Sequence, residues 1–147
     1  MTAGEARRVL LEQHGRLRRS LQELEQLARA AAAGGDASRL RPRTLALGEL
    51  VRDHNLDEER LLQPLLADLD AWGPARIERL LAHHADEHAA LHRALAEAAS
   101  SELPEWERVR AVLALVRELS DHIGLEEREL LAENVLRDDL VTDGFGG

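Results

Sequence analysis

Cysteine, tyrosine and lysine are absent from the 147-residue chain, and aromatic residues make up only 2% of it. Without cysteine there can be no disulfide, no thiolate-bound zinc, no iron–sulfur cluster and no thiol nucleophile. Without tyrosine there is neither a tyrosyl radical nor a phenolate ligand. All 19 basic residues are arginine, which removes Schiff-base and other lysine chemistry. The aromatic side chains are Trp72, Trp106 and Phe145, and the formal charge is −9. That leaves neither the stacking platforms nor the positive field that nucleic acid requires, so no nucleic-acid partner is expected. No stretch approaches the roughly 18 uninterrupted apolar residues of a membrane span. The N-terminus carries charge throughout and lacks the apolar core and cleavage site of a secretory signal. A cytoplasmic protein with no membrane partner is the expectation. What the chain does have is histidine, seven of them.

Leucine, alanine, glutamate and arginine dominate, so helix is favoured over strand nearly everywhere. Thr2 and Glu5 fit a capping box opening a first helix that runs to about Ala33. Gly34-Gly35-Asp36-Ala37-Ser38 ends it, with a loop towards Pro42. A second helix continues to about Asp70, and Pro64 should kink or end it. Trp72-Gly73-Pro74 interrupts, with Pro74 in the first turn of a third helix reaching about Ala99. After the break at Ser100–Pro104 a fourth helix extends to about Arg137. The expected domain is 1–139, with a loose tail over 140–147. Short connections between helices of this length predict an all-α, up-down-up-down antiparallel four-helix bundle.

Each helix carries an apolar stripe at spacings of three and four. The first reads Leu10, His14, Leu17, Leu21, Leu24, and the second Leu47, Leu50/Val51, His54, Glu58, Leu61/Leu62, Leu65. The third reads Ile77, Leu80/Leu81, His84, His88, Leu91, Leu95. The fourth reads Val109, Val112, Leu115/Val116, Leu119, His122, Glu126, Leu130. Imidazole or carboxylate thus interrupts a leucine line on every helix. Burying five imidazoles and two carboxylates is costly unless something compensates them. Residues at i and i+4 are about 6 Å apart in rise and about 40° in rotation, so each such pair can converge on one point. Nitrogen and carboxylate donors together suit iron, manganese or zinc. Seven donors exceed the needs of one tetrahedral zinc and suit a pair of metals sharing the carboxylates.

A His-x-x-x-Glu pair alone is weak, since this composition produces about one by chance. Indeed His83/Glu87 is another, and it lies off the stripe and reads as surface. An internal repeat adds the strength. Gln13-His14 opens one half and Glu87-His88 the other, each followed by a His-x-x-x-Glu motif preceded by aspartate, Asp53 or Asp121. Two hairpins related by a pseudo-twofold axis would set their ligands opposite one another.

The order His14, then His54-x-x-x-Glu58, then His84-x-x-x-His88, then His122-x-x-x-Glu126 resembles the hemerythrin-like (HHE cation-binding) family over essentially the whole chain. The resemblance implies two iron ions forming a non-haem di-iron centre, with Glu58 and Glu126 as bridges beside an oxo or hydroxo group. It implies that His84, His88 and His122 hold one iron and that His14 and His54 hold the other. The second iron then keeps an open position for dioxygen or peroxide. Oxygen-carrying hemerythrins tend to supply the last carboxylate as aspartate five positions after its histidine. Here it is Glu126, four positions on, as in the wider prokaryotic branch.

The flanking residues read more plainly. His92 is taken as a supporting or exposed residue, Asp53, Asp121, Glu59 and Glu127 as solvated flank charges, with hydrogen bonding to a ligand histidine as the alternative, and Trp72 and Trp106 as packing at helix ends. A ferritin-like centre is excluded, because it needs Glu-x-x-His pairs and no histidine here has a glutamate three positions before it. The favoured function is binding of dioxygen for storage, delivery or sensing. The alternatives are an enzyme handling peroxide or nitric oxide, and a regulatory protein whose stability follows metal or redox state. No acid–base residue outside the ligand set stands on the stripes, which favours binding over catalysis.

Overall fold

The computed structural model describes residues 1–68 and 74–131. Four helices account for its regular structure: α1 (Ala3–Ala32), α2 (Leu40–Asp68), α3 (Pro74–Ala98) and α4 (Glu105–Glu129). Each packs on its two sequence neighbours, α4 closes the ring against α1, and α2 also meets α4 across the middle. This is the expected four-helix bundle. None of the helices in the described residues is long and apolar enough to cross a membrane.

The ends of α1 follow local chemistry. The Thr2 hydroxyl accepts from the Glu5 N–H, and the Glu5 carboxylate accepts from the Thr2 N–H, closing the capping box. At the other end the Gly34 and Gly35 N–H groups donate to the Ala31 and Ala30 carbonyls, with Gly34 at φ +96°. This is a Schellman closure, and it needs a residue free to adopt positive φ.

Three helix boundaries differ from expectation. α2 begins at Leu40 rather than after Pro42, because a proline in the first turn has no N–H to lose. It also runs through Pro64 to Asp68. α4 ends at Glu129, short of Arg137: the Leu130 and Leu131 N–H groups both turn back on the Glu126 carbonyl. Leu130 and Leu131 are buried, and the Leu131 carbonyl accepts from Arg7 Nε at 2.6 Å, so tertiary anchoring stops the helix. The expectations for Trp72 and for the tail over 140–147 lie outside the described residues.

Among the described side chains the stripes face inward. Val51, not Leu50, continues the α2 line: Leu50 is 39% exposed, because 47, 51, 54, 58 and 62 keep one azimuth and 50 falls off it. Trp106 is exposed on the first turn of α4 and packs no helix end. Inside, the leucines form two separate clusters. A large one gathers Leu17, Leu21, Leu24, Leu47, Leu91, Leu115 and Leu119, and a small one gathers Leu10, Leu62, Leu130 and Leu131. The histidine-bearing level lies between them.

The large cluster packs apart from that level. Leu24→Ala, well away from the histidines and buried, is expected to cost about 2–5 kcal/mol in urea denaturation. The metal content of the variant should be that of the wild type; a loss of metal with it would contradict this division.

Candidate metal centre

Between the two leucine clusters the bundle places all seven predicted site residues in one polar layer. His14, His54, Glu58, His88, His122 and Glu126 are buried, and His84 is 12% exposed. They form two groups of donor atoms, each within 4.8 Å of one another: His14, His54, Glu58 and Glu126, and His84, His88, His122 and Glu126. Glu126 belongs to both. Glu58 reaches the second group as well, since its Oε1 is in close contact with His84 Nε2 while its Oε2 lies 2.9 Å from His54 Nε2.

Ring orientation follows from groups outside this layer. His14 Nδ1 lies 2.9 Å from Glu127 Oε2, and Arg18 grips both oxygens of that carboxylate at 2.7 and 2.8 Å. His54 Nδ1 lies 2.7 Å from Gln13 Oε1, and the Gln13 amide is fixed because its Nε2 donates to Asp57 Oδ2 at 2.7 Å. His122 Nδ1 lies 3.1 Å from Glu87 Oε2. Carboxylate and amide oxygens only accept, so each of these Nδ1 atoms carries the proton and each Nε2 turns its lone pair inward.

The consequence is an excess of unanswered donors. His14 Nε2 and His54 Nε2 face each other at 3.2 Å, and two lone pairs at that distance need a proton or a cation between them. His122 Nε2 sits 3.0 Å from Glu126 Oε1, yet neither atom has hydrogen-bond geometry to any partner. Glu58 Oε2, His88 Nε2 and Glu126 Oε2 are likewise buried without a hydrogen bond. Buried polar atoms are rarely left so, and five in one layer fit a set of metal ligands.

Protons fill part of the gap in the metal-free chain. Burial disfavours the charged ring of His54, but contacts with Glu126 and Glu58 override it and raise its pKa to about 9. His84 follows the same balance, up to about 10. His88 goes the other way, pushed down to about 3 by burial and then by the charge of His84. Burial would raise the Glu126 carboxyl, but contacts with Glu58 and three of the histidines hold it far below the ordinary carboxylate range.

In a comparison with protein-family sequence models, the hemerythrin HHE cation-binding domain matches residues 5–133. The chain belongs to that family. No curated protein and no solved structure matches it. The HHE domain here therefore carries clusters of histidine and glutamate that could bind metal, in the bundle that the stripes anticipate.

The sequence reading left the roles of four residues of this HHE domain's site open or unread: Glu87 read as surface, Glu127 as a solvated charge with a hydrogen bond to a ligand histidine as the alternative, Gln13 only as part of the repeat, and Arg18 drew no notice. The signal for two of them was present, since Gln13 and Glu87 occupy matched places directly before His14 and His88. His83 and His92 stay off the donor layer: His83 is exposed and pairs with Glu87, and His92 Nε2 accepts from Asn55 Nδ2 at 3.1 Å.

Two outcomes test this reading of the HHE layer. Glu127→Ala keeps every ligand but frees His14, and should weaken metal binding about 10–100-fold in competition with a chelator; unchanged affinity would contradict the clamp. The second concerns pH. Folded-state values of about 9 and 10 lie above the unfolded 6.5, so the stabilisation from His54 and His84 is complete below pH 6.5 and disappears as pH rises through 9 to 10. The chelator-treated protein should therefore lose stability to urea over that interval, and a flat profile would contradict the pairing.

Proposed function

We propose that this chain is a non-haem di-iron protein that binds dioxygen, for storage, delivery or sensing, at an open iron position. The observation that carries the reading is the shared carboxylate. Two donor groups meet at Glu126, and Glu58 lies in contact with histidines of both. That arrangement answers to two cations held side by side rather than one. His14 and His54 would hold the first, His84, His88 and His122 the second, and the two glutamates both.

Bound there, a pair of ferrous ions supplies the two electrons that dioxygen draws on when it binds. The chain supplies the rest. Glu58 and Glu126 bring two negative charges into a layer that would otherwise hold only neutral or cationic rings. Five imidazole donors with two carboxylates suit iron better than the four-donor, closed sites of structural zinc. Glu127, Gln13 and Glu87 fix the planes of three rings and keep their Nδ1 protons directed away from the layer. Leu10 and Leu62 on one side, with Leu17 and Leu119 on the other, exclude bulk water. An apolar surround of this kind disfavours the charge separation by which bound oxygen would escape as a reduced product.

Among the described residues, the buried carboxylates and imidazoles of the layer are all in the ligand set, which favours binding over turnover. The test is anaerobic loading with ferrous iron followed by exposure to oxygen. The account expects two irons per chain and a colour that appears with oxygen and fades under vacuum over repeated cycles. His54→Ala and Glu58→Ala should abolish it. Irreversible oxidation in the first cycle, or one zinc per chain in the isolated protein, would contradict it.

A further inference from the structure

The pseudo-twofold repeat pairs His14 with His88 and His54 with His122, and it pairs the carboxylates that follow each bridging glutamate, Glu127 and Glu59. At the α1/α4 end the relation is closed. Arg18, four residues after His14, holds Glu127 against the ring of His14, and His14 is fully buried. At the α2/α3 end the matched position four residues after His88 is His92, which bonds Asn55 instead. Glu59 is exposed and has no hydrogen bond or ion pair among the described residues. His88 has no counterpart to the Glu127 clamp, and its Nε2 is buried without a partner.

A cavity of about 80 Å³ lies where the second clamp would sit. Glu59 and the exposed Ala85 stand at its mouth, and Leu62, Leu81 and Leu130 form its apolar wall. Its inner end is Glu58, His84 and His88. The groove beside His54, by contrast, lies on the outer face of that ring, where the Gln13 hydrogen bond stands between it and the donor layer. The groove beside His122 is likewise on the Nδ1 side, occupied by Glu87.

The geometry points to a built ligand chamber, opening between α2 and α3 at Glu59 and Ala85 and ending on His84, His88 and Glu58. It takes a molecule of a few heavy atoms, since a water needs only about 10–15 Å³ of such space and a larger organic substrate would not fit in this volume. Because Glu58 also contacts His54, a small molecule in the chamber lies beside a carboxylate common to both donor groups. What passes through the chamber rests on the di-iron reading; where the chamber lies does not.

Two measurements separate these. Crystals of the metal-free protein pressurised with xenon should show xenon beside Leu62 and Leu130; its absence from the cavity would overturn the chamber. With the iron-loaded protein, azide association followed by stopped-flow absorbance should slow about tenfold or more in Ala85→Phe. That substitution sits at an exposed helical position and leaves the donors intact. Leu50→Phe, beside the outer groove of His54, should leave the rate unchanged. An unaltered rate in Ala85→Phe, or slowing only in Leu50→Phe, would overturn the route. Xenon in the cavity of a protein that takes up no iron would uphold the chamber and refute the di-iron reading.

Discussion

Five imidazoles and two carboxylates stacked into one level of a leucine bundle set the terms for everything around them. The apolar core cannot run continuously past such a layer, and it does not: a large cluster lies on one side and a small one on the other. Desolvating that many polar groups opposes folding unless each is answered. In the metal-free chain protons answer some of them, which is why His54 and His84 bind theirs tightly while His88 between its neighbours does not. The two Nε2 atoms of His14 and His54, 3.2 Å apart, mark one place where a cation could stand.

A second constraint comes from the outer ring of partners. A histidine with both nitrogens free would choose its own tautomer and plane, and a pair of metals would have to organise it on arrival. Glu127 with Arg18, Gln13 with Asp57, and Glu87 remove that freedom for three rings before any metal is present. The two hairpins share a plan but not this detail. An arginine at one position holds Glu127 against His14, while the matched position carries His92, which bonds Asn55, and a small cavity lies beside His84 and His88.

Much of this was legible before any coordinates. Leucine lines at spacings of three and four determined the helices, and the Gly34-Gly35 pair marked an end that only a residue tolerant of positive φ can make. The seven donors stood out because polar residues on an apolar line have no bland use. Position 50 was ambiguous because residues adjacent in sequence compete for one azimuth, and only packing against α1 and α3 decides for Val51. The end of α4 was unreadable because no capping residue marks it; Leu130 and Leu131 stop it by docking elsewhere. Glu127 was ambiguous for a related reason. A carboxylate one residue off a stripe looks the same whether it meets water or an imidazole on the next helix, and only the crossing of helices tells them apart.

The central claim is that one polar layer holds two metal ions in unequal surroundings, two histidines on one side and three on the other. The Mössbauer spectrum of the anaerobically iron-loaded protein tests it most directly. Two high-spin ferrous signals of equal area and distinct parameters are expected. A single signal, or iron that washes out on gel filtration, would contradict the account.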